Sequence, residues 1–434
     1  MKSPILRLSA AASTSERVGC ARDATRDHTI AAYRNCFDVT ERPMPSSHLI
    51  LGGGIYGASI GYYLAQRGAP SIILESQPEA ALTASGKAAG FLGGSWGDGR
   101  VTERLHRTSF EIHEQLAKDL GIKSYRKMSA FRVGDGGSNN NDDTPQWLDG
   151  DGVEASLIDG DAAQVEPYEL TQALLREAQA TGHCTLRTGA EVVGLDCDED
   201  KNVCGVRLAG GEAVECDATL TIALGPWSCM VEEWLDYPMP IEGTWSTSIL
   251  YHSADGDGLA TSALFCEEDQ RGCHLEVFPR PTGEVYVAGC GGSRLISAEA
   301  LRAGAVPPSA TNDPDASRVT AASSSLGELS SLWKGKAPEV TRACIRPVAP
   351  DGLPIIGQLP SHSNVYVATG ANVWGILWAP VCGKAMSELL LDGEASTVNL
   401  KPFSPRRFDT LTHRTLLKQR GRRTADGSWH GEQY

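Results

Sequence analysis

Two groups of residues in this chain of 434 residues have the types and the spacing to do chemistry. The first is a cysteine followed two positions later by an arginine, Cys344 and Arg346, just before a turn rich in proline and glycine. Side chains two positions apart on a strand point to the same face. A thiol can act as a nucleophile or pack as a small apolar group, and a guanidinium can bind a carboxylate through two hydrogen bonds. The two side chains would therefore share one face of a strand, and the spacing leaves open which of them takes part in the chemistry.

The second group is the glycine motif GGGIYG (Gly52–Gly57), which satisfies the pattern G-x-G-x-x-G. It follows a predicted buried strand and opens a predicted helix, and Glu75 ends the next strand. Gly52 would permit the tight turn, Gly54 would let the backbone approach a pyrophosphate, and Gly57 would let the helix pack closely on the strand. Glu75 would accept hydrogen bonds from the ribose of an adenosine. This context predicts a dinucleotide site, but the spacing does not decide between NAD and FAD.

The elements that must position these residues predict a large α/β protein. The segment from His48, "HLILGGGIYGASIGYYLAQRGAPSIILE", predicts a strand, a helix and a second strand, which is a βαβ unit of the doubly wound type. Amphipathic helices are predicted for "ERLHRTSFEIHEQLAKDLG" and "YELTQALLREAQATG", and a last helix for residues 380–391. The segment "HLEVFPRPTGEVYVAG" predicts a hairpin. Residues 134–144 and 303–325 are predicted to be exposed loops.

Composition excludes several classes of protein. A net charge of −15 disfavours a nucleic-acid partner, which requires a basic surface. The chain contains no apolar run of about 18 residues, so no membrane span is predicted. Its 12 cysteines are scattered and form no C-x-x-C pair, so neither a disulfide framework nor a metal site is predicted. We interpret them as reduced thiols of a protein that is cytoplasmic or organellar and is not secreted.

The two termini differ from the body of the chain. Residues 1–46 are rich in Arg, Ser and Ala, as in a transit peptide for a mitochondrion or plastid, yet they also contain five acidic residues. The sequence therefore does not decide between a transit-like segment and a disordered extension. The basic C-terminal tail, residues 396–434, is interpreted as a solvated terminus.

The glycine motif and three later segments resemble the D-amino-acid oxidase (DAO) family of FAD-dependent oxidoreductases, which includes glycine oxidase and sarcosine oxidase. These segments are "ASGKAAGFLGG", "ALGPWS" and "VYVATGANVWGILWAPVCGKAMSELLLDG", and together they span most of residues 47–395. Two stretches, "SGKAAGFLGGSWGDG" and "EVFPRPTGEVYVAG", are most similar to a fungal and plant branch of uncharacterised FAD oxidoreductases. The resemblance implies FAD as the cofactor, and a doubly wound Rossmann-type domain interleaved with an antiparallel-sheet substrate domain.

The resemblance also implies domain boundaries and cofactor contacts. The FAD-binding domain would comprise residues 47–100, 180–235 and 336–395, and the substrate domain would comprise residues 101–179 and 236–335. The residues implied to bind the cofactor are Gly52, Gly54, Ile55, Tyr56, Gly57, Glu75, Ser85, Gly86, Lys87, Ala89, Gly90, Val192, Val193, Gly225, Trp227, Cys344, Asp351, Gly370, Asn372, Val373, Gly375 and Ile376.

The resemblance assigns roles to the cysteine and the arginine. In glycine oxidase and its relatives, an arginine in the segment "LRP…DG.P.IG" pairs with the substrate carboxylate, and "CIRPVAPDGLPIIG" has Arg346 in that place. In sarcosine oxidase, a cysteine at the position of Cys344 is bonded to the flavin, and an aspartate follows seven residues later, as Asp351 does here. The residues themselves leave alternatives open: Cys344 as a small buried thiol, and Arg346 in a structural ion pair.

Two further groups are candidates for the substrate site. His274 lies on the predicted hairpin, where it could face the flavin or be an ordinary strand residue, and the same holds for Glu276. Trp96, Trp374 and Trp378 could shape an aromatic cage for an amine. Of these residues, His274 and Trp374 are assigned with Arg346 to the catalytic site.

The resemblance implies an enzyme that oxidises the C–N bond of a small amino acid or secondary amine by hydride transfer to the flavin. Sarcosine oxidase has a lysine that helps oxygen to react with the reduced flavin. Val285 and Val287 stand at that place here, so the electron acceptor could be oxygen or another molecule. A 2-hydroxy acid dehydrogenase and a non-catalytic flavin-binding protein with a trafficking or scaffold role are the alternatives.

Overall fold

The computed structural model describes residues 46–134, 145–253, 262–310 and 313–409. Residues 1–45, most of the predicted loop 134–144 and the tail after residue 409 lie outside the described residues. The strands are β1 (His48–Leu51), β2 (Ser71–Leu74), β3 (Phe91–Leu92), β4 (Arg126–Val133), β5 (Ala155–Gln164), β6 (Cys184–Arg187), β7 (Val192–Cys197), β8 (Val203–Leu208), β9 (Ala213–Glu215), β10 (Leu220–Ile222), β11 (Glu242–His252), β12 (Ser262–Cys266), β13 (Glu276–Pro279), β14 (Glu284–Ala288), β15 (Arg294–Ile296), β16 (Val340–Val348), β17 (Ile355–Gln358) and β18 (Val365–Thr369). The helices are α1 (Ile55–Gln66), α2 (Ala84–Lys87), α3 (Glu103–Asp119), α4 (Pro167–Ala180), α5 (Val231–Leu235), α6 (Ala298–Arg302), α7 (Ala316–Leu329) and α8 (Gly375–Asp392).

The glycine motif lies at the centre of a six-stranded sheet, in the order β17-β18-β10-β1-β2-β6. Strands β1, β2, β6, β10 and β18 run parallel, and β17 joins them antiparallel. Strand β1 alternates its side chains between two cores: Ile50 packs with the helices, whereas Leu49 and Leu51 pack with strands β7–β9 and helix α5. Because both faces of the sheet are covered, its strands are mainly apolar, as in a doubly wound fold. The predicted βαβ unit is present as β1, α1 and β2.

The second large sheet is mainly antiparallel and has nine strands. Eight of them follow the order β15-β11-β14-β13-β12-β4-β5-β3, and β16 pairs with β11. The predicted hairpin is present as β13 and β14. The register of β16 on β11 places Cys344 opposite Ser246 and Arg346 opposite Thr244. Strand β16 lies in the stretch that the sequence assigned to the FAD-binding domain, yet it belongs to this sheet.

The prediction of an exposed loop for residues 303–325 is wrong in its second half, where α7 forms. The side chain of Asp315 accepts hydrogen bonds from the backbone N–H groups of Ser317 and Arg318, so it caps the helix start. Ala322 and Leu326 then bury the apolar side of the helix in the core of the antiparallel sheet. The helix was not predicted because the segment is rich in serine, which favours caps and turns over helix interiors.

Helix α8 starts five residues earlier than predicted and contains Pro380. A proline inside a helix has no N–H for the carbonyl four residues before it, which here belongs to Ile376. His113 of α3 replaces the missing donor, with its Nε2 atom 3.0 Å from the Ile376 oxygen and 3.1 Å from the Leu377 oxygen. The early start of α8 therefore depends on a contact with another helix. In the part of the chain that the structure describes, no helix combines the length and the hydropathy needed to cross a bilayer.

Candidate functional site

A cavity of about 460 Å³ is lined by loops of the parallel sheet and by one face of the antiparallel sheet. Most of the residues that the sequence assigned to the site lie on its wall. They are Gly52, Gly54, Ile55, Tyr56, Glu75, Ser85, Ala89, Val192, Val193, Gly225, Trp227, His274, Cys344, Arg346, Gly370, Asn372, Val373, Gly375 and Ile376. Six assigned residues do not line it, namely Gly57, Gly86, Lys87, Gly90, Asp351 and Trp374.

The glycine motif brings backbone, rather than side chains, to one end of this cavity. Gly52 has φ +104°, and a Cβ atom there would lie 2.4 Å from the carbonyl oxygen of Ala223. A Cβ atom on Gly57 would lie 1.9 Å from the carbonyl oxygen of Gly52, so Gly57 lets α1 approach β1 from outside the cavity. These two positions require glycine because the obstructing atoms belong to the backbone and cannot rotate away.

The start of α1 has the properties of an anion site. Gly54, Ile55 and Tyr56 line the cavity, and the first turn of the helix contains no acidic side chain that would repel a phosphate. The hydroxyl of Ser85 accepts a hydrogen bond of 2.9 Å from the backbone N–H of Ile55. These residues fit the pyrophosphate of a dinucleotide.

Glu75 is held at the end of β2, where an adenosine ribose would be bound. Its Oε2 atom accepts a hydrogen bond of 2.8 Å from the backbone N–H of Gly53, and its Oε1 atom accepts one of 2.8 Å from Gln77. Val192 and Val193 line the same cavity. A fixed carboxylate beside apolar side chains fits the adenosine end of FAD.

Arg346 reaches the cavity from β16 and is held on one side. Its Nη2 atom donates a hydrogen bond of 3.0 Å to Ser246, whose hydroxyl lies 3.1 Å from that of Ser293. Its Nε atom is buried and has no hydrogen-bond partner. Among the described residues, no carboxylate forms an ion pair with Arg346, so the structural ion pair left open by the sequence is not formed there.

Cys344 lines the same cavity and is only 8% exposed. Burial raises the pKa of its thiol, and the nearby positive charges of Arg346, Lys87 and Arg342 oppose that rise without overcoming it. The thiol is therefore neutral at neutral pH. Lys87 lies behind the cavity wall, where its Nζ atom donates a hydrogen bond of 3.2 Å to the carbonyl oxygen of Ala343.

The other assigned residues outside the wall have structural contacts. Trp374 forms an aromatic cluster, with ring centroids 5.9 Å from Trp96 and 6.3 Å from Trp378, so the three predicted cage residues meet but do not line the cavity. Asp351 pairs with Arg407 at 2.7 Å, which is a different place from the one the resemblance implied. Gly86 and Gly90 allow close backbone contacts, with Cβ positions 2.2 Å from the Ala81 oxygen and 1.8 Å from the Val165 oxygen, respectively.

Sequence reasoning missed several residues on the wall. Ser246 and Tyr286 belong to strands β11 and β14, and their alternating pattern could have indicated which side chains share a face. The segment after α6 also lines the cavity through Gly304, Pro307 and Pro308. It is attached by a hydrogen bond of 3.1 Å from the indole Nε1 of Trp227 to the carbonyl oxygen of Val306. No local signal in the sequence indicates this contact. Within residues 46–409, no described group of His, Cys, Asp or Glu side chains could hold a metal ion.

Comparison with known proteins supplies independent findings. The family model described as FAD dependent oxidoreductase (DAO) matches residues 48–389. A Schizosaccharomyces pombe protein named as an oxidoreductase is 28% identical, and the alignment covers 82% of this chain and 97% of that protein. Glycine oxidase of Bacillus subtilis is 25% identical over 82% of this chain and 95% of its own length. The crystal structure of glycine oxidase from Bacillus cereus matches with a TM-score of 0.64 at 22% identity, covering 80% of this chain and 96% of that one.

Proposed function

Because the chain belongs to the DAO family of FAD-dependent oxidoreductases, we propose that it oxidises the C–N bond of a small amino acid or secondary amine. The family match confirms the predicted family, the FAD cofactor and the enzyme class, and the fold neighbours confirm the predicted fold class. FAD supplies the acceptor for a hydride from the carbon next to the nitrogen. The similarity to a protein named glycine oxidase supports an amine substrate.

Arg346 is the observation that carries the proposal. Arg346 is half-buried on the cavity wall and has no carboxylate partner among the described residues, so this position favours a bound anion. Ser246 holds Nη2 and thereby fixes the guanidinium on one side. A carboxylate bound by a fixed guanidinium has one orientation, and the carbon next to it is then held in one position relative to the cofactor.

The hairpin supplies the groups that would receive the amine. His274 and Glu276 both line the cavity, on the face formed by the antiparallel sheet. Hydride transfer requires the neutral amine, because an ammonium nitrogen has no lone pair to stabilise the carbon that becomes positive. We assign to these two side chains the binding of the amine and the acceptance of its proton. The loop attached through Trp227 then limits the access of water to the site.

The test is anaerobic reduction of the bound flavin by a panel of amino acids, N-methyl amino acids and 2-hydroxy acids. Arg346→Gln should weaken binding of the active compound by about 100-fold, because the carboxylate loses a charged partner in a half-buried site. Arg342→Gln is the matched control, since Arg342 faces the same way from β16 but does not line the cavity. It should change the binding only a few-fold.

Each outcome of this experiment has a defined meaning. Reduction by an amine that depends on Arg346 supports the proposal. Reduction by 2-hydroxy acids alone contradicts the C–N substrate and favours a hydroxy-acid dehydrogenase. A flavin that no compound in the panel reduces contradicts catalysis and favours a non-catalytic flavin-binding protein.

A further inference from the structure

Two buried cysteines that are not part of the proposed amine site lie together at its edge. Cys290 lines the cavity, Cys273 packs in the same buried cluster, and they are 2% and 1% exposed, respectively. The Sγ atom of Cys273 lies 3.4 Å from the carbonyl oxygen of Cys290. Both thiols are free in the structure. They belong to the two segments that continue β13 and β14 beyond the hairpin.

The backbones of these two segments touch on both sides of the cysteines. A Cβ atom on Gly289 would lie 2.0 Å from the carbonyl oxygen of His274, and one on Gly291 would lie 1.9 Å from that of Gly272. Both cysteines also belong to one buried cluster in the core of the antiparallel sheet. Close backbone contact on both sides of the pair is what a disulfide requires, because it spans Cα atoms only about 4.4–6.8 Å apart.

A single arginine holds both segments and contacts one of the sulfur atoms. Arg318 of α7 donates from Nε to the carbonyl oxygen of Cys290 at 2.7 Å, and from Nη2 to that of Arg271 at 2.9 Å. The same Nη2 atom lies 3.2 Å from the Sγ atom of Cys273. A guanidinium at this distance stabilises a thiolate, which is the reactive form of cysteine.

We propose that Cys273 and Cys290 are a redox-active dithiol that exchanges two electrons with the flavin bound in the cavity. In the oxidising direction the two S–H bonds break, the Sγ–Sγ bond forms, two protons leave and the electron pair passes to oxidised flavin. In the reverse direction the disulfide accepts the electron pair of reduced flavin together with two protons. The proposal requires only the flavin and is independent of the amine substrate.

Burial sets the pH dependence of this exchange. It raises the pKa of both thiols, that of Cys290 to about 12; the carboxylates of Asp269 and Glu276 add to the rise, and the charge of Arg318 opposes it. Because a thiolate must form for the sulfur atoms to react, formation of the disulfide should become faster as the pH rises.

The experiment uses the purified holoenzyme and counts thiols and electrons. The oxidised holoenzyme is denatured in the presence of an alkylating reagent, digested and analysed by mass spectrometry before and after reduction with dithionite. We expect the peptides of Cys273 and Cys290 to be linked before reduction and separately alkylated after it. An anaerobic dithionite titration should then consume four electrons per flavin in the wild type and two in Cys290→Ala.

Cys184→Ala is the matched control, because Cys184 is a buried thiol on β6 that does not line the cavity. It should retain the uptake of four electrons. The proposal is overturned if both peptides are alkylated separately in the oxidised holoenzyme, if the linked pair involves other cysteines, or if the wild type takes up only two electrons. The measurement on the wild type decides the matter even if a variant fails to fold. Since dithionite is the reductant, failure here leaves the amine proposal untouched.

Discussion

The contact between His113 and α8 leads to a prediction about acid stability. The Nε2 atom of His113 donates to the carbonyl oxygen that Pro380 leaves without a donor, and the imidazole ring is 1% exposed. This oxygen belongs to Ile376, and both Ile376 and the preceding residue, Gly375, line the cavity. Protonation would place a positive charge in an apolar helix interface, and the second ring N–H would have to be buried there as well. Acid should therefore loosen α8 and the cavity wall together.

The size of the effect follows from the pKa of His113. Burial lowers it from 6.5 to about 4, although hydrogen bonds to the Ile376 and Leu377 carbonyl oxygens oppose the shift. Because the folded-state pKa lies below the unfolded-state value, the contribution to stability is complete above the unfolded-state pKa and is lost as the pH falls toward the folded-state pKa. Between pH 7.5 and 4.5 this amounts to a loss of about 2.5 kcal/mol in the free energy of unfolding.

The assay compares His113→Gln with the wild type in urea unfolding at these two pH values. Glutamine can donate to the same carbonyl oxygens but does not titrate. Acidification should therefore shift the stability difference between the two proteins by about 2.5 kcal/mol in favour of the variant. Protonation of carboxylates also lowers the free energy of unfolding in acid, but it does so equally in both proteins. His183→Gln, at an exposed histidine, is the control and should show no such shift. A difference that stays constant with pH would refute the reasoning.

Three further predictions concern the cofactor site. Gly52→Ala should abolish flavin binding and lower the free energy of unfolding by about 3 kcal/mol, because the added Cβ would lie 2.4 Å from a backbone oxygen and the backbone has an unfavourable positive φ. Gly68→Ala, with φ +70° but its nearest neighbour 4.0 Å away, should keep the flavin; the ratio of flavin to protein absorbance distinguishes the two. Acid precipitation of the wild type should release the flavin, since the neutral thiol of Cys344 is a poor nucleophile, and a yellow pellet would contradict this. Asp351→Asn should leave the flavin content unchanged and lower the free energy of unfolding by less than about 1 kcal/mol, because it removes only a partly exposed ion pair.

Local patterns predicted the βαβ unit that carries the glycine motif well, because its determinants are close together in the sequence. The strand, the glycine turn and the helix of the βαβ unit follow one another within 27 residues from His48 to Leu74. The hydrophobic pattern is strong there because the strands are covered on both faces. The spacing of Cys344 and Arg346 also predicted that their side chains share a face, and both line the cavity.

The remaining features depend on contacts between distant segments. Ser246 lies 100 positions from the arginine that it holds. The early start of α8 depends on His113, which lies 263 positions from Ile376. Rules for single helices exclude a proline from a helix interior, and they cannot include a donor that arrives from another helix. The cap of α7 was a local signal, but the serine-rich composition around it favoured a loop.

The side chains that strand β14 presents to the cavity are relevant to the identity of the electron acceptor. Val285 and Val287, which stand where sarcosine oxidase has its lysine, are fully buried in the core of the antiparallel sheet. The residue between them, Tyr286, is the one that lines the cavity, so the alternation of the strand places a phenol there rather than a cation. The buried lysine Lys87 donates a hydrogen bond to the carbonyl oxygen of Ala343 and does not line the cavity, and burial lowers its pKa. A positive charge beside the flavin promotes electron transfer to oxygen; strand β14 supplies none to the cavity, and the cationic side chains on its wall, among the described residues, are those of Arg346 and Arg302. The disulfide form of Cys273 and Cys290, and not the dithiol, would accept one electron pair, which a further oxidant would then have to remove.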